Sequence, residues 1–445
     1  MGRKITAYLL PLFGFLFLTA YIRSAAVNVV YTDYIRLVNS YLGDVTSFAP
    51  YLHADILTRI PANYPERIVN VALFHYSTMF DMMLGALFLA LSAAVAGRYC
   101  IRRGISAPVT AALLLFLFSL NKWEMLTNGS GWVHFAAFAL FWHHYAVYDR
   151  CLCGDGKPGD RRALLLLPWI TILFFAGPYC GVYAVTLLLA DLFTVCVMKR
   201  DLRQALQRMA CTAAPLILYL ISRACSVEER AGATTDSIFQ VLSARPLLLP
   251  ALFVRSFSSM LIGGETAEAL KIPAEGTVLL GILVLLCYAL SFYLTFRRKL
   301  YEESTFPLFL LTSGFLNHVL VTASRWIFLS SSYGMSSRYA LQYQVGIAGI
   351  ILTLALASGK AAGQMRKASA VIILAFLIGS TVTTAREIHM APYRLENFQA
   401  MRETALHFEE EDDAELVQTL QYHDPAKIRS ALALLKERRL NIFHD

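Results

Sequence analysis

Three short stretches of this 445-residue chain carry ionisable side chains in settings where they could do chemistry. Asp33 lies in Tyr31-Thr32-Asp33-Tyr34, directly after the first long apolar run. Glu124 is the one acid in Asn121-Lys122-Trp123-Glu124-Met125-Leu126-Thr127-Asn128-Gly129-Ser130-Gly131-Trp132. Arg338 closes the serine-rich stretch Ser330-Ser331-Ser332-Tyr333-Gly334-Met335-Ser336-Ser337-Arg338-Tyr339, and Arg325 stands on its far side. A partly buried carboxylate such as Asp33 can act as a general base, since desolvation raises its proton affinity and a nearby arginine lowers it again. A guanidinium where a helix begins, as at Arg338, offers a phosphate a forked pair of hydrogen bonds beside free backbone N–H groups, and Arg325 could assist. Glu124 sits among tryptophans, and aromatic faces beside a carboxylate suit a sugar, whose pyranose ring has apolar faces of its own. Gly129 and Gly131 permit close backbone approach or positive φ.

Each feature has a blander counterpart. Asp33, Arg36, Asp44, His53, Asp55 and Arg59 could be a hydrated loop whose charges pair with one another. Trp123 and Trp132 could form an ordinary interfacial belt. Arg325 and Arg338 could snorkel to lipid headgroups. The functional reading makes Asp33 catalytic and lets Glu124 orient an acceptor or a divalent ion. It gives Arg338 and Arg325 a phosphate, and it lines the site with Tyr34, Arg36, Asp55, Lys122, Trp123, Trp132 and Tyr339.

The elements that must position these residues are membrane spans. The chain is 57% hydrophobic and 16% charged, against roughly one-quarter charged in soluble domains, and its mean hydropathy is +0.53. Apolar runs of about 18 residues or more recur along most of it, which predicts an all-α, polytopic helical membrane protein. Eleven spans can be drawn, at about 5–30, 68–96, 106–121, 132–148, 163–177, 180–198, 209–222, 277–296, 306–323, 339–358 and 368–385. The stretches 163–177 and 209–222 are thin for a full crossing, and 246–262 reads as an interfacial or re-entrant helix. Every second turn is basic: Arg3 and Lys4; Arg98, Arg102 and Arg103; Arg150, Lys157, Arg161 and Arg162; Lys199, Arg200, Arg203 and Arg208; Arg297 to Lys299; Lys360, Arg366 and Lys367. The positive-inside rule then places the amino terminus in the cytoplasm and the carboxyl terminus outside. The net charge of +8 is accounted for by these turns and calls for no nucleic acid.

The long segments 31–67, 121–131, 223–276, 324–338 and 386–445 consequently fall on the outer face, with the three reactive stretches among them. Residues 1–385 form the transmembrane domain. Residues 386–445 form an outer helical appendage, too small to promise a core of its own and expected to dock on the outer loops. In it, Asp424-Pro425 caps a helix whose Ile428, Leu432 and Leu435 share one face, and the acidic run 409–413 separates two helices. The amino-terminal Met-Gly-Arg-Lys and the apolar residues after it read as a retained anchor rather than a cleaved signal. The eight cysteines are scattered and support neither a disulfide framework nor a zinc site. Asp81, Asp191 and His134 fit hydrogen bonds between helices. There is no Walker loop, dinucleotide fingerprint, HExxH or nucleophile elbow, so nucleotide-driven transport and zinc or serine hydrolysis lose their usual support.

With Asp33 after the first span, Glu124 in the turn between the third and fourth, and Arg338 before a late span, the chain resembles the GT-C superfamily of membrane glycosyltransferases. The resemblance covers topology over most of the chain and rests on single residues. It departs from the better-known members in having no paired acid at position 33 and no Trp-Trp-Asp element in the tail, which argues against an oligosaccharyltransferase. It implies an inverting enzyme of the bacterial cell-surface polysaccharide type. Such an enzyme moves a sugar from a polyprenyl-phosphate donor to a glycan or lipid-linked acceptor at the outer face of the cell membrane. No cofactor follows from it, and a divalent cation has no supporting motif. Two alternatives stay open. One is a lipid-linked polysaccharide polymerase or ligase, against which the 223–276 segment offers Arg223, Arg230, Arg245 and Arg255 but no histidine. The other is a flippase or transporter, for which no internal repeat is evident.

Overall fold

The structure, a computed structural model, describes residues 2–52, 60–226, 232–359 and 363–444. Among those residues every regular element is helical. A first group comprises α1 (Gly2–Ala25), the short α2 (Asp33–Tyr41), α3 (Asn63–Phe74), α4 (Thr78–Arg102), α5 (Ala107–Leu117), the five-residue α6 (Trp123–Thr127) and α7 (Trp132–Leu152). Next come α8 (Asp160–Ile170), prolonged by a π turn over Thr171–Phe175, then α9 (Cys180–Cys196) and α10 (Leu202–Ala224). Helices α11 (Ile238–Ala244) and α12 (Leu248–Ser258) meet at 89°. The remainder are α13 (Gly264–Ala269), α14 (Ala274–Arg297), α15 (Phe306–Arg325), α16 (Ala340–Gly359), α17 (Gly363–Leu406), α18 (Asp413–Leu420) and α19 (Pro425–Glu437).

Nine helices among the described residues are long and apolar enough to cross a membrane, and the bent α11–α12 pair would bring the number to ten. The chain is a polytopic helical membrane protein. The stretch 209–222 is one part of the 23-residue α10, long enough to span at about 1.5 Å per residue. Helices α7 and α8, drawn as spans from sequence, fall outside the nine. Histidines, Asp149 and Arg150 dilute the hydropathy of α7, and α8 has only 11 residues before its π turn. The stretch 68–96 is two helices, because His75 and Tyr76 take positive φ and Ser77 then caps α4 by accepting from the Phe80 N–H. Pattern-based hydropathy sees only one continuous apolar run there.

The helices pack around α1, α4, α7, α15 and α16, with α16 buried along nearly its whole length. Helices α15 and α16 touch at Gly314 and Gly346, where a Cβ on Gly314 would lie 2.2 Å from the Gly346 Cα. Small residues let membrane helices approach until dispersion contacts replace lipid. At the far end of α4, roughly 37 Å from its start at 1.5 Å per residue, Arg102 and Arg103 pair with Asp149. Asp149 also accepts from the Thr305 and Phe306 N–H groups at 2.7 and 3.1 Å, which caps α15. Basic turns thus gather at the end opposite Asp33.

The boundary drawn at 385/386 falls inside α17, a single helix of 44 residues. The tail docks as expected. Ile428, Leu432 and Leu435 of α19 are wholly buried, and α19 packs on α2. The Thr32 N–H donates to the Leu420 carbonyl at 2.9 Å, and Asn39 Nδ2 donates to the Lys427 carbonyl at 2.8 Å. The Asn441 N–H donates to the His75 carbonyl at 2.7 Å.

Candidate functional site

Asp33 opens α2 after Thr32, which bends the chain with φ 46°. The Asp33 side chain is 48% exposed, and its Oδ1 accepts from Arg36 Nη2 at 3.2 Å. Two residues earlier, Tyr31 is buried and turns its hydroxyl towards the Thr127 carbonyl, 3.4 Å away. Burial pushes the Tyr31 phenol above its ordinary range. Glu124 raises it further, Arg338 draws it back and Asp33 adds a smaller push upward. Because Tyr31 reaches α6, which carries Glu124, the structure brings Asp33, Glu124 and Arg338 to one end of the bundle.

Glu124 and Arg338 form an ion pair through Oε1 and Nε. Ser337 Oγ donates to the other carboxylate oxygen at 3.1 Å, with Ser336 Oγ at 3.4 Å. The turn Ser337–Tyr339 runs straight into α16, so the buried α16 fixes Arg338 while α6 fixes Glu124. Both residues line an open cleft of about 580 Å³ with Arg255, Glu265, Ser332 and Tyr333 among its other walls. Asp33 and Arg325 lie outside that lining.

Arg325, the last residue of α15, is different in kind. Its guanidinium carbon lies 6.0 Å from the Phe328 ring centre and 5.9 Å from that of Tyr339. Its Nε is buried without a hydrogen-bond partner, and no carboxylate pairs with it among the described residues. Aromatic faces stabilise a cation only in part, so this half-buried guanidinium without a carboxylate is available to an anion.

The other residues expected to line the site divide between it and the interior of the bundle. Lys122 is a correction: it is 1% exposed, and its ammonium donates to the Leu117 and Ser119 carbonyls at 2.9 and 2.8 Å, satisfying the frayed end of α5. Trp132 is also a correction, being buried and stacked on Phe88 at 6.0 Å between ring centres. Tyr34 is fully buried and donates to Asp81 instead of facing a ligand. Tyr339 is buried beneath Arg325, and Arg36 serves Asp33. Trp123 donates to Glu265 Oε1 at 3.1 Å, and Arg394 covers its ring at 3.1 Å from the centre. Asp55, like His53 and Arg59, lies outside the described residues. Gly129 earns its place by close approach, since a Cβ there would lie 2.4 Å from the Tyr34 hydroxyl oxygen. Among the described residues, no three His, Cys, Asp or Glu side chains gather as a ligand set for a metal ion.

Two polar groupings behind the site escape the sequence reading. Arg67 is fully buried, pairs with both Asp81 and Glu66, and stands 5.6–5.8 Å from the rings of Tyr34, Tyr41 and Tyr76. Burial holds the Glu66 carboxyl well above the usual carboxylate range despite Arg67, with Asp81 reinforcing the rise. The spacing of Asn63, Glu66, Arg67 and Asn70 is that of one helix face. It could have been recognised as a buried polar stripe. The second grouping joins Glu265, Glu387, Arg386 and Arg394, tying α17 to α13 beside the cleft. Its members are too far apart in sequence to leave a local signal.

Compared with known protein families and with curated proteins, the sequence matches no family model and no curated relative.

Proposed function

We propose that the chain is an inverting membrane glycosyltransferase of the GT-C type, acting at the non-cytoplasmic face on a polyprenyl-phosphate sugar and a glycan or lipid-linked acceptor. The observation that carries this reading is that Asp33, two residues from a Tyr31 turned towards α6, lies at the same end of the bundle as the Glu124–Arg338 pair, from three stretches far apart in sequence. The acceptor hydroxyl oxygen attacks the anomeric carbon while the bond from that carbon to the phosphate oxygen breaks. Asp33 takes the hydroxyl proton. The leaving polyprenyl phosphate departs with the electron pair, and the charge growing on it is met electrostatically. Because Glu124 already balances Arg338, Arg325 is the principal phosphate ligand and Arg338 supports it. Glu124, fixed by Arg338 and two serines, orients the acceptor. A half-exposed carboxylate is within reach of a bulky acceptor's hydroxyl, and a donor activated by phosphate requires no nucleotide site.

The test is sugar transfer by the purified protein in proteoliposomes, using a panel of labelled polyprenyl-phosphate sugars and cell-envelope acceptors. Wild-type protein is expected to transfer one of them, and Asp33→Asn to lose that activity while folding normally. Full activity in Asp33→Asn would remove the base assignment. Sugar-lipid movement across the bilayer with no transfer would replace the enzyme with a transporter.

A further inference from the structure

Arg255 lies on α12, in the second half of the bent pair, and its side chain forms part of the cleft that also holds Glu124 and Arg338. Its Nε donates to Thr277 Oγ1 at 2.9 Å, and its Nη1 donates to Ser331 Oγ at 2.6 Å. Both acceptors are neutral hydroxyls. Several other half-buried arginines of the bundle meet acids: Arg103 meets Asp149, Arg150 meets Asp160, and Arg208 meets Asp191. Arg255 forms no ion pair among the described residues, and Glu275 reaches it only at longer range. Hydroxyls occupy a guanidinium's donors without cancelling its charge, so Arg255 itself is left without a carboxylate at contact distance.

The donors left over point the same way. Arg255 Nη2 has no partner among the described residues, and neither does the hydroxyl proton of Ser331. A guanidinium N–H and a serine O–H side by side form a cradle for an oxyanion, with charge-assisted hydrogen bonds the strongest available to it. Two of the three acids on the lining, Glu124 and Glu265, are already paired with other arginines. Glu265 is held by Arg394 and Arg386, and Glu268 is the remaining acid of the lining. The cleft volume, about 580 Å³, is enough for a sugar residue together with a charged substituent.

We propose that Arg255 and Ser331 form a second anion subsite, distinct from Arg325, which takes a phosphoryl or carboxylate group of the acceptor. The acceptor is therefore an anionic glycan or lipid. This rests on the glycosyltransferase reading for the word acceptor, whereas the subsite itself is testable without any turnover. The probes are inorganic phosphate, followed by ³¹P NMR, and ¹³C-labelled acetate, followed by ¹³C NMR, each titrated with the full-length protein in detergent.

Wild-type protein is expected to broaden one of the two resonances. Arg255→Gln should lose much of that broadening, and Ser331→Ala a smaller part. Arg245→Gln, which alters an exposed arginine bonded to the Leu329 carbonyl at 3.3 Å, should behave as wild type. Stronger broadening of phosphate assigns the subsite to a phosphoryl group, and stronger broadening of acetate assigns it to a carboxylate. Wild-type broadening in folded Arg255→Gln, or in Ser331→Ala should the first variant not fold, overturns the subsite. So does an equal loss in Arg245→Gln, which would mark nonspecific charge attraction. If transfer is never found but Arg255→Gln abolishes binding, the subsite stands and only the enzyme reading falls.

Discussion

The Tyr34 hydroxyl donates to Asp81 Oδ2 at 2.7 Å, which fastens the residue beside Asp33 to the first turn of α4. Asp81 is held in turn by Arg67 and by Asn70 Nδ2 at 2.8 Å. Asp33 is half exposed, yet the turn that carries it is tied to a buried ionic network on one side. On the other it is tied to the tail, through the Thr32 N–H and the Leu420 carbonyl. A base has to be held close to its productive position by supporting residues, and these two ties supply that support.

Tyr34→Phe removes the hydroxyl and leaves Asp81 short of one buried donor. It should lower unfolding free energy by about 1–3 kcal/mol, the usual loss for a buried polar group stripped of a partner. In the transfer assay it should reduce kcat with the donor KM unchanged, because the proposed base is loosened and the proposed phosphate site is not. Thermal unfolding in detergent with steady-state kinetics checks both. Wild-type values for each would mean that the Tyr34 tie does not position Asp33.

Arg325 and Arg338 should respond differently to the same substitution. Arg325→Gln removes an unpaired charge and should cut kcat/KM about 100-fold, equivalent to ~2–3 kcal/mol for a charge-assisted contact. Arg338→Gln strands Glu124, so part of its defect should be repaired by adding Glu124→Gln. The cycle should show a coupling of at least about 0.5 kcal/mol, as is usual for residues in contact. Additive effects would mean that the pair is formed without functional consequence.

Much of the bundle was legible because a bilayer demands long apolar helices, and α1, α4, α9, α10, α14, α15, α16 and α17 each carry such a run. Docking of the tail was legible in the spacing of Ile428, Leu432 and Leu435. The break at His75 and Tyr76 was not, because a pair of positive-φ residues without glycine leaves no compositional mark. Lys122 illustrates a different blindness. A lysine beside tryptophans in a loop looks solvent-facing, and only the frayed carbonyls of α5 turn it inward. Asp33, Glu124 and Arg338 could be singled out from residue type and position, whereas the uncompensated state of Arg325 depends on what fails to lie near it. No sequence states that.

Glu66 should make stability depend on pH. Burial raises its folded-state pKa above the unfolded value, Arg67 offsets part of that rise, and Asp81, which shares this guanidinium, adds to it. Between those values the folded chain binds more protons than the unfolded one, and stability falls as pH rises. The contribution is fully present below the unfolded pKa, about 4.3 for a free glutamate, and declines through the folded pKa. Glu66→Gln is uncharged at every pH and removes this dependence. Its melting temperature relative to wild type should therefore rise as pH increases from about 4 towards 8. A constant difference would show that Glu66 is ionised in the folded protein.

The tail should matter to the site through its packing on α2 and its hydrogen bonds to that segment. Leu432 is fully buried on α19, which lies against α2, and α2 begins with Asp33. Leu432→Ala should cost about 2–5 kcal/mol locally, from lost transfer energy and the cavity left behind. The spans, held by their own helix–helix contacts, should stay assembled. Hydrogen exchange is expected to quicken in 33–41 and 413–437 while α15 and α16 keep their protection, and transfer should fall in parallel. Faster exchange confined to the tail, with α2 and transfer unaffected, would separate the appendage from the site. Loss of protection throughout the bundle would instead make α19 part of the global core. The buried contacts of α19 with α2, together with the Thr32–Leu420 hydrogen bond, favour the first outcome.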